Sequence, residues 1–385
     1  MKHAASLMLL FLLCTGALAA ANAENPQIAA LQAPPATEQA VDIRYDDWSY
    51  ILKVTVFEAG LSDRAYAAPP EPGIGRRIVK GNTSSLRFEG NRIYFPAFEG
   101  ENLDALKRIR VELEAMPDAI PMAEWTKKQQ LAYWLNLYNI RLVEALAERY
   151  PAQELRSLLY GRGGRTGLLD EPLLTVAGVS LSLNNIHHDI LIPGWRDPLV
   201  MYGLFHGFVG SPNIRPEAYT AASVYRQLRD NAVEFINSNR GARMDGDTLR
   251  VAEIYSDNIA LFPNGPDDLK AHIVSYAEPG YAERFQAAKY VRATTGDYYI
   301  ADLFQGYRRD VNPNAGNSAA IAEALTGGGP AADLAEWMTA TMDRHYNSPA
   351  PGFVMEYLQK IRERKAKREG QVSVEEFEEE QEDEK

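Results

Sequence analysis

The sequence predicts an α+β fold, a predominantly helical single domain with three short antiparallel β-hairpins. Helical spacing of apolar residues recurs through most of residues 41–306. Between these segments lie short alternating stretches that turn at glycine or asparagine, as hairpins do. The chain shows neither an internal repeat nor the alternation of strand and helix that builds a parallel sheet.

The first half of the predicted domain contains three helices and one hairpin. Apolar residues at helical spacing predict helices over 41–57, 101–116 and 125–150, and Pro151 ends the last of them. The stretch SSLRFEGNRIYFPAF, residues 84–98, alternates around Gly90 and Asn91 and predicts a β-hairpin.

The second half alternates hairpins with shorter helices. LLTVAGVSLSL predicts a hairpin that turns near Ala177-Gly178, and RMDGDTLRVAEIY one that turns at Asp245-Gly246. A short helix, IHHDIL, is expected after a cap at Asn184 or Asn185 and before Pro193. The remaining predicted helices are 216–239, with Pro216 in its first turn, 267–277 and 281–291.

Both ends of the chain differ from the domain in composition. A basic start, an apolar run and Ala21-Asn22-Ala23 predict a signal peptide, residues 1–23, cleaved between Ala23 and Glu24, hence a periplasmic or secreted protein. The other predicted segments are a flexible leader over 24–40, the domain over 41–306, a small-residue-rich extension over 307–345, a helix over 346–370 and a disordered acidic tail over 371–385.

Composition excludes several functions. Cys14, inside the predicted signal peptide, is the only cysteine, so the mature chain has no disulfide, thiolate metal site or cysteine nucleophile. A net charge of −12 gives little attraction for nucleic acid. No stretch after the signal peptide is apolar enough to span a membrane. The expected partner is an envelope protein or a small-molecule ligand, and no cofactor is expected.

Polar residues within the longest predicted helix are the first candidates for a site. Asn136 and Asn139 lie three residues apart and share a helix face, which indicates a buried polar role. They either anchor neighbouring loops by hydrogen bonds, or have a functional role, which is to orient a catalytic histidine or to bind substrate. Tyr138 shares another face with Trp134.

The segment MYGLFHGFVGSPNIRPEAY, residues 201–219, resembles an active-site loop and contains His206 and Ser211. Ser211 is either a nucleophile activated by His188 or His206, or a residue that caps the turn before Pro212. Adjacent helical residues point about 100° apart, so His187 and His188 are not expected to face one site together. The histidine spacing matches no zinc-ligand pair, and no metal is expected.

The order of these motifs resembles the family called domain of unknown function 547. The resemblance runs from about residue 42 to 306, and its most specific parts are Trp134–Asn139, Asn185–Leu191 and Ser211–Asn213. Relatives commonly have Asn-Cys-x-x-x-Gly-Cys-Pro in the loop, where this chain has Phe205, His206 and Ser211 at the first Asn and the two Cys positions. They also have an acid before the family histidine, which places His187 and His188 at these two positions.

Such a Cys, His and Asn set would resemble a thiol hydrolase of the papain or transglutaminase kind, and this chain keeps Asn139 and His188 but has lost the thiol. We therefore expect a non-catalytic binding module with a degenerate hydrolase-like cleft. The alternative is a serine- or histidine-dependent hydrolase that uses the same cleft. The candidate catalytic residues are His188, Asn139, Ser211 and His206, and the candidate binding residues are Asn136, Tyr138, His187 and Phe205.

Overall fold

The computed structural model describes residues 26–32, 34–35, 40–70, 81–307 and 352–382, with side chains of the last segment described to residue 367. The predicted signal peptide, and the predicted extension after Tyr307, lie outside the described residues. The predicted leader is described only in part.

The described helices and strands confirm a predominantly helical α+β fold. In chain order, the α-helices are α1 Pro26–Ala30, α2 Asp46–Thr55, α3 Glu101–Ala119, α4 Lys127–Glu148, α5 Arg156–Tyr160, α6 Ile192–Trp195, α7 Val224–Ile236, α8 Ile254–Asp257, α9 Pro266–Tyr276, α10 Pro279–Gln286 and α11 Gly352–Glu382. The strands are β1 Val56–Phe57, β2 Arg92–Ile93, β3 Leu174–Val176, β4 Val179–Leu181, β5 Ala242–Asp245, β6 Thr248–Ala252 and β7 Tyr290–Thr295.

Helix α4 forms the centre of the core. Thr126 and Gln129 close a reciprocal capping box at its start, which satisfies backbone N–H groups of the first turn. Every residue from Gln129 to Ala147 is buried, so the helix is covered on all sides rather than along one stripe. The α3 side chain Arg110 reaches the buried Glu144 on α4 at 2.7 Å.

The described strands form three small sheets. β3 and β4 form the predicted hairpin around Ala177-Gly178, where both residues have positive φ, and β5 and β6 form the one around Gly246. β7 adds to β6 in parallel, which the sequence did not indicate. β1 pairs antiparallel with β2.

The hairpin predicted over 84–98 is wrong. β2 pairs with β1, more than thirty residues upstream, instead of with the residues before Gly90. The guanidinium of Arg92 donates to the carbonyls of Arg87, Glu89 and Gly90 at 2.7–2.8 Å. These bonds hold the preceding residues in turns, and the turns leave no strand for a hairpin.

Several helix ends differ from the prediction. The helix predicted over 41–57 is α2, which begins at Asp46 and ends where β1 starts. The helix predicted over 281–291 is α10, which ends before Tyr290 begins β7. The helix predicted from Pro216 begins only at Val224. The short helix over 186–191 is a π-helical turn, Asn185–Leu191, which runs directly into α6.

Pro193 does not end that short helix, because it lies in the first turn of α6, where a missing N–H costs nothing. The predicted asparagine cap is also absent, since Asn184 makes no capping bond. Asn185 instead accepts hydrogen bonds from the N–H and hydroxyl of Ser182 at 2.9 and 3.0 Å.

Part of the predicted flexible leader packs on the domain. Ile28 and Leu31 are buried in the main core, and Gln32 donates to the carbonyl of Asp189 at the π-helical turn. These two buried side chains attach the segment to the domain. This differs from the loose segment expected from composition.

Helix α11 completes a second, smaller core. Val354, Tyr357 and Leu358 are buried against a group of apolar residues on other elements, Phe57, Ala59, Tyr94, Ala97, Leu303 and Phe304. The backbone of α11 continues to Glu382, so residue 370 does not mark its end.

Charged residues of α11 pair with residues from the first part of the domain. Asp63 accepts from Lys360 at 2.9 Å and from Arg364 at 3.1 Å, and Glu356 binds Arg87 at 3.1 Å. Helix α11 is therefore part of the folded domain and not an appendage.

We predict that Tyr357→Ala lowers the free energy of unfolding by about 3–5 kcal/mol, the usual cost of truncating a buried aromatic side chain. Tyr357 is 4% exposed and its hydroxyl donates to Gly90 at 2.8 Å. Urea denaturation of the full chain measures the effect, and Arg362→Ala, at an exposed position of the same helix, is the control. Equal stability of the two variants would contradict the packing of α11.

Candidate functional site

Two asparagines of α4 hold the loop that follows the π-helical turn. The side chain of Asn139 donates to the carbonyl of Gly203 at 2.9 Å and accepts from the N–H of Phe205 at 3.0 Å. Asn136 makes the same pair of bonds with Tyr219, at 2.8 and 2.9 Å. Each side-chain amide thus pairs with loop backbone as a neighbouring strand would. Without these bonds, the buried N–H and C=O groups of the loop would lack a partner.

A second segment, residues 297–301, holds the other edge of this loop. The N–H of Gly210 donates to Asp297 and that of Val209 to Tyr299, both at 2.9 Å. Gly210 is required here, because a Cβ atom at this position would lie 2.8 Å from the backbone nitrogen of Asp297. The loop is therefore fixed between α4 and residues 297–301.

Three histidines meet beside this loop. The rings of His187 and His188 stack with centroids 4.1 Å apart, and the ring of His206 lies 5.9 Å from His187. The expectation that neighbouring helical residues point apart is wrong here, because residues 185–191 adopt the wider π-helical turn. π-Helical turns in helices often occur at functional sites.

The two inner histidines are buried and neutral. Burial, and after it the nearby His188, lowers the pKa of His206 to about 4. Burial also lowers the pKa of His187 well below its usual value. His206 Nδ1 shares a hydrogen bond with the hydroxyl of Tyr138 at 3.2 Å.

Asn258 fixes the proton of His187. The amide nitrogen of Asn258 donates to the carbonyl of Ile254, so its oxygen accepts from His187 Nε2 at 2.7 Å. His187 therefore carries its proton on Nε2 and is held in one orientation.

An exposed polar and aromatic surface lies over these histidines, and we call it the His188 face. It consists of His188, Tyr160, Asp257, Tyr298 and Arg156. The rings of Tyr160 and Tyr298 meet edge to face at 5.9 Å, and the Arg156 guanidinium lies 4.6 Å from the Tyr298 ring. Asp257 lies within electrostatic range of His188 and Tyr160, and burial raises the pKa of its carboxyl.

Sequence reasoning did not find most of the His188 face. Tyr160 and Arg156 lie on α5, Asp257 ends α8, and Tyr298 follows β7, so the face is formed by distant parts of the chain. None of these residues belongs to a local pattern. Only His188 was recognised, since its neighbours in the chain suggested a site.

Within the described structure, the hydroxyl of Ser211 makes no hydrogen bond to a histidine. Its hydroxyl is buried and donates to the carbonyl of Phe208 at 2.7 Å. Its own carbonyl accepts from Arg240 at 3.3 Å. The turn-capping alternative describes this geometry, and the nucleophile–base pair is not assembled.

The remaining predicted residues divide into three sets. Tyr138 and His187 lie with His188 and His206 in the cluster, while Asn136 and Asn139 hydrogen bond to loop backbone. Phe205 is 2% exposed and belongs to the main core. No group of three or more His, Cys, Asp or Glu residues suited to a metal ion occurs in the described part of the chain.

The architecture is thus a mainly helical α+β domain built around a buried helix, a clamped loop and a histidine cluster. Residues 122–236 match the family described as Protein of unknown function, DUF547, and this part of the chain belongs to that family. The match covers α4 to α7, which include the clamped loop, and is narrower than the range 42–306 expected. No curated protein and no solved structure matches the chain. Among the described helices, none is both long and apolar enough to cross a bilayer.

We predict that Asn139→Ala lowers the free energy of unfolding by about 2–6 kcal/mol. The change leaves two buried backbone groups, on Gly203 and Phe205, without a partner, at about 1–3 kcal/mol each. Chemical denaturation measures the loss. The control is Asn184→Ala, which removes an exposed hydrogen bond to Asp170 and should lower the free energy of unfolding only slightly. A comparable loss in both variants would contradict the role of Asn139 in holding the loop.

We also predict that His206 makes the protein less stable in acid. Its pKa is about 4 in the folded state and about 6.5 when unfolded, so the unfolded state takes up the proton first. Stability is full above pH 6.5 and falls as the pH drops towards 4, by about 3 kcal/mol from this group.

The measurement compares wild type with His206→Gln by urea denaturation at pH 7 and pH 4.5, and the variant should lose less stability. Asp302 contributes in the opposite sense, since burial raises the pKa of its carboxyl to about 6, but it is present in both proteins and cancels. Identical pH dependence in the two proteins would show that folding does not lower the pKa of His206.

Proposed function

We propose that this chain is a non-catalytic binding module that holds its ligand at the His188 face. The ligand is a polar small molecule or a segment of a partner protein. One observation carries the proposal: the hydroxyl of Ser211 and the amide of Asn139, which a hydrolase in this cleft would use, are bonded to the loop backbone.

The state of Ser211 supports the non-catalytic part of the proposal. A serine becomes a useful nucleophile when a neighbouring base takes its proton. Here the proton points at the Phe208 carbonyl, which is no base, and the hydroxyl is buried. The nitrogen and the oxygen of the Asn139 side-chain amide are likewise bonded to the backbone of Gly203 and Phe205 in the described structure, and not to a histidine.

The chemistry of the His188 face supports the binding part. It presents ring surfaces, a carboxylate, an imidazole and a guanidinium side by side, so it offers both donors and acceptors. Tyr298 is held by Glu253 at 2.7 Å, and His188 rests on the fixed ring of His187. A surface whose side chains are already positioned loses little entropy on binding.

The alternative is a serine- or histidine-dependent hydrolase in the same cleft. It would use His188 as the base and either Ser211 or His206 as the reacting group. It requires the loop to release Ser211 from the Phe208 carbonyl, and no contact in the described structure favours that change.

We also propose export to the periplasm or the exterior, with cleavage between Ala23 and Glu24. The basic start, the apolar run and the Ala-Asn-Ala sequence before Glu24 support this location. The partner protein or ligand would then be one found in the cell envelope.

We predict that a fluorophosphonate probe, which labels activated serines, leaves no adduct on Ser211 in intact-mass analysis of the purified protein. A polar fragment library, followed through the imidazole NMR signals, should instead yield ligands that shift His188 and His187. The chain has only six histidines, so these signals can be assigned.

His272 is the internal control, because it lies away from the face and bonds to Tyr202 at 2.9 Å. A His188→Ala variant should lose the binding of the same fragments. A covalent adduct at Ser211 would contradict the non-catalytic part of the proposal. Fragments that shift only His272 would contradict the choice of face.

A further inference from the structure

A second cavity, whose lining residues differ from those of the His188 face, lies beside the three-stranded sheet. Its volume is about 500 Å³, within the range of small-molecule sites. It is lined mainly by hydroxyl-bearing residues and one cation, namely Tyr66, Ser84, Ser85, Leu86, Arg243, Thr294, Thr295 and Gly296.

Arg243 is held in place but has no carboxylate partner among the described residues. Its Nη1 atom donates to Thr295 Oγ1 at 2.7 Å and to the carbonyl of Asn239 at 3.3 Å. Within the same part of the chain, Nε and Nη2 have no hydrogen-bond partner. A positioned guanidinium with free N–H groups is suited to an oxyanion.

The hydroxyls around Arg243 are arranged to donate. Thr295 Oγ1 accepts from Arg243, Thr294 Oγ1 accepts from Arg250 at 3.0 Å, and Ser84 Oγ accepts from the N–H of Leu86 at 3.1 Å. Each oxygen is an acceptor in its protein bond, so its own hydrogen is free for a ligand. The cavity therefore offers several donors around one positive charge.

Acidic groups on the same strands and loops are already paired. Asp245 on β5 binds Arg250 at 2.5 Å, and Glu253 after β6 accepts from Tyr298. Asp297 after β7 accepts from the N–H of Tyr299 at 3.1 Å. These contacts reduce the repulsion that an anion would meet at Arg243.

We propose that this cavity binds a small molecule that carries a phosphate monoester. Three terminal oxygens of such a group can accept from the guanidinium and the hydroxyls at once. A bare phosphate ion would fill only a small part of the volume, and the half-exposed ring of Tyr66 offers a surface for the rest of the molecule.

Isothermal titration calorimetry on the full mature chain tests the proposal with ribose 5-phosphate, inorganic phosphate and ribose. Ribose 5-phosphate should bind saturably, inorganic phosphate more weakly, and ribose not at all. Arg243→Gln should weaken the binding of ribose 5-phosphate at least tenfold, and Ser85→Ala several-fold.

Arg226→Gln is the matched control. It removes the same charge from an exposed pair with Asp230 on α7 and should leave the affinity unchanged. Thermal unfolding shows whether each variant is folded. If Arg243→Gln does not fold, Ser85→Ala, which alters an exposed hydroxyl, tests the proposal instead.

The proposal is overturned if neither phosphate compound binds saturably, if ribose binds as well as ribose 5-phosphate, or if the folded Arg243→Gln protein keeps wild-type affinity. None of these outcomes affects the proposed function, which is measured through the signals of His188. The two proposals therefore fail separately.

Discussion

The arrangement of this domain depends on the hydrogen bonds between two asparagine side chains and loop backbone. A side-chain amide has the same donor and acceptor as a peptide group, so Asn136 and Asn139 let a helix pair with a loop as one strand pairs with another. Because the loop is held against α4, that helix is buried on all sides. The position of His206 beside Tyr138 follows from the same bonds.

The far end of the loop is fixed by a buried ion pair. Arg240, fully buried, binds both carboxylate oxygens of Glu234 at 2.9 and 2.6 Å and donates to Asn213 at 3.0 Å. A buried guanidinium needs such partners, since removing one of a buried pair typically costs about 3–5 kcal/mol. The Ser-Pro-Asn sequence is thus explained by the need to bind Arg240 as well as by the turn.

Sequence patterns correctly predicted the elements that depend on residues close together in the chain. The apolar run of α4 and the glycine turns of two hairpins depend on neighbours within a few residues, and these elements are confirmed. The hairpin over 84–98 failed because the carbonyls before β2 bind the Arg92 guanidinium. Helix α7 starts late because Asn136 binds the N–H and the carbonyl of Tyr219, groups that a helix from Pro216 would use for its own hydrogen bonds.

The residues of the candidate site were also predictable only where the signal is local. The histidines and asparagines were recognisable as unusual polar residues in apolar surroundings. Their roles were not, because they depend on which atoms they meet across the fold, such as Asn258 for His187 and Phe208 for Ser211. Arg243 and the other residues of the second cavity come from four separate stretches of the chain, and only packing brings them together.

The contact between Asp63 and Arg364 has a consequence for how the chain is made. About three hundred residues separate these partners, and the second core is closed by residues from both ends of that span. A ribosome or an export channel delivers the N-terminal part first, so Phe57 and Tyr94 emerge long before Val354 and Leu358. Until the last helix is delivered, this apolar surface remains open to water and to other chains. The second core is thus completed only after α11 has been synthesised.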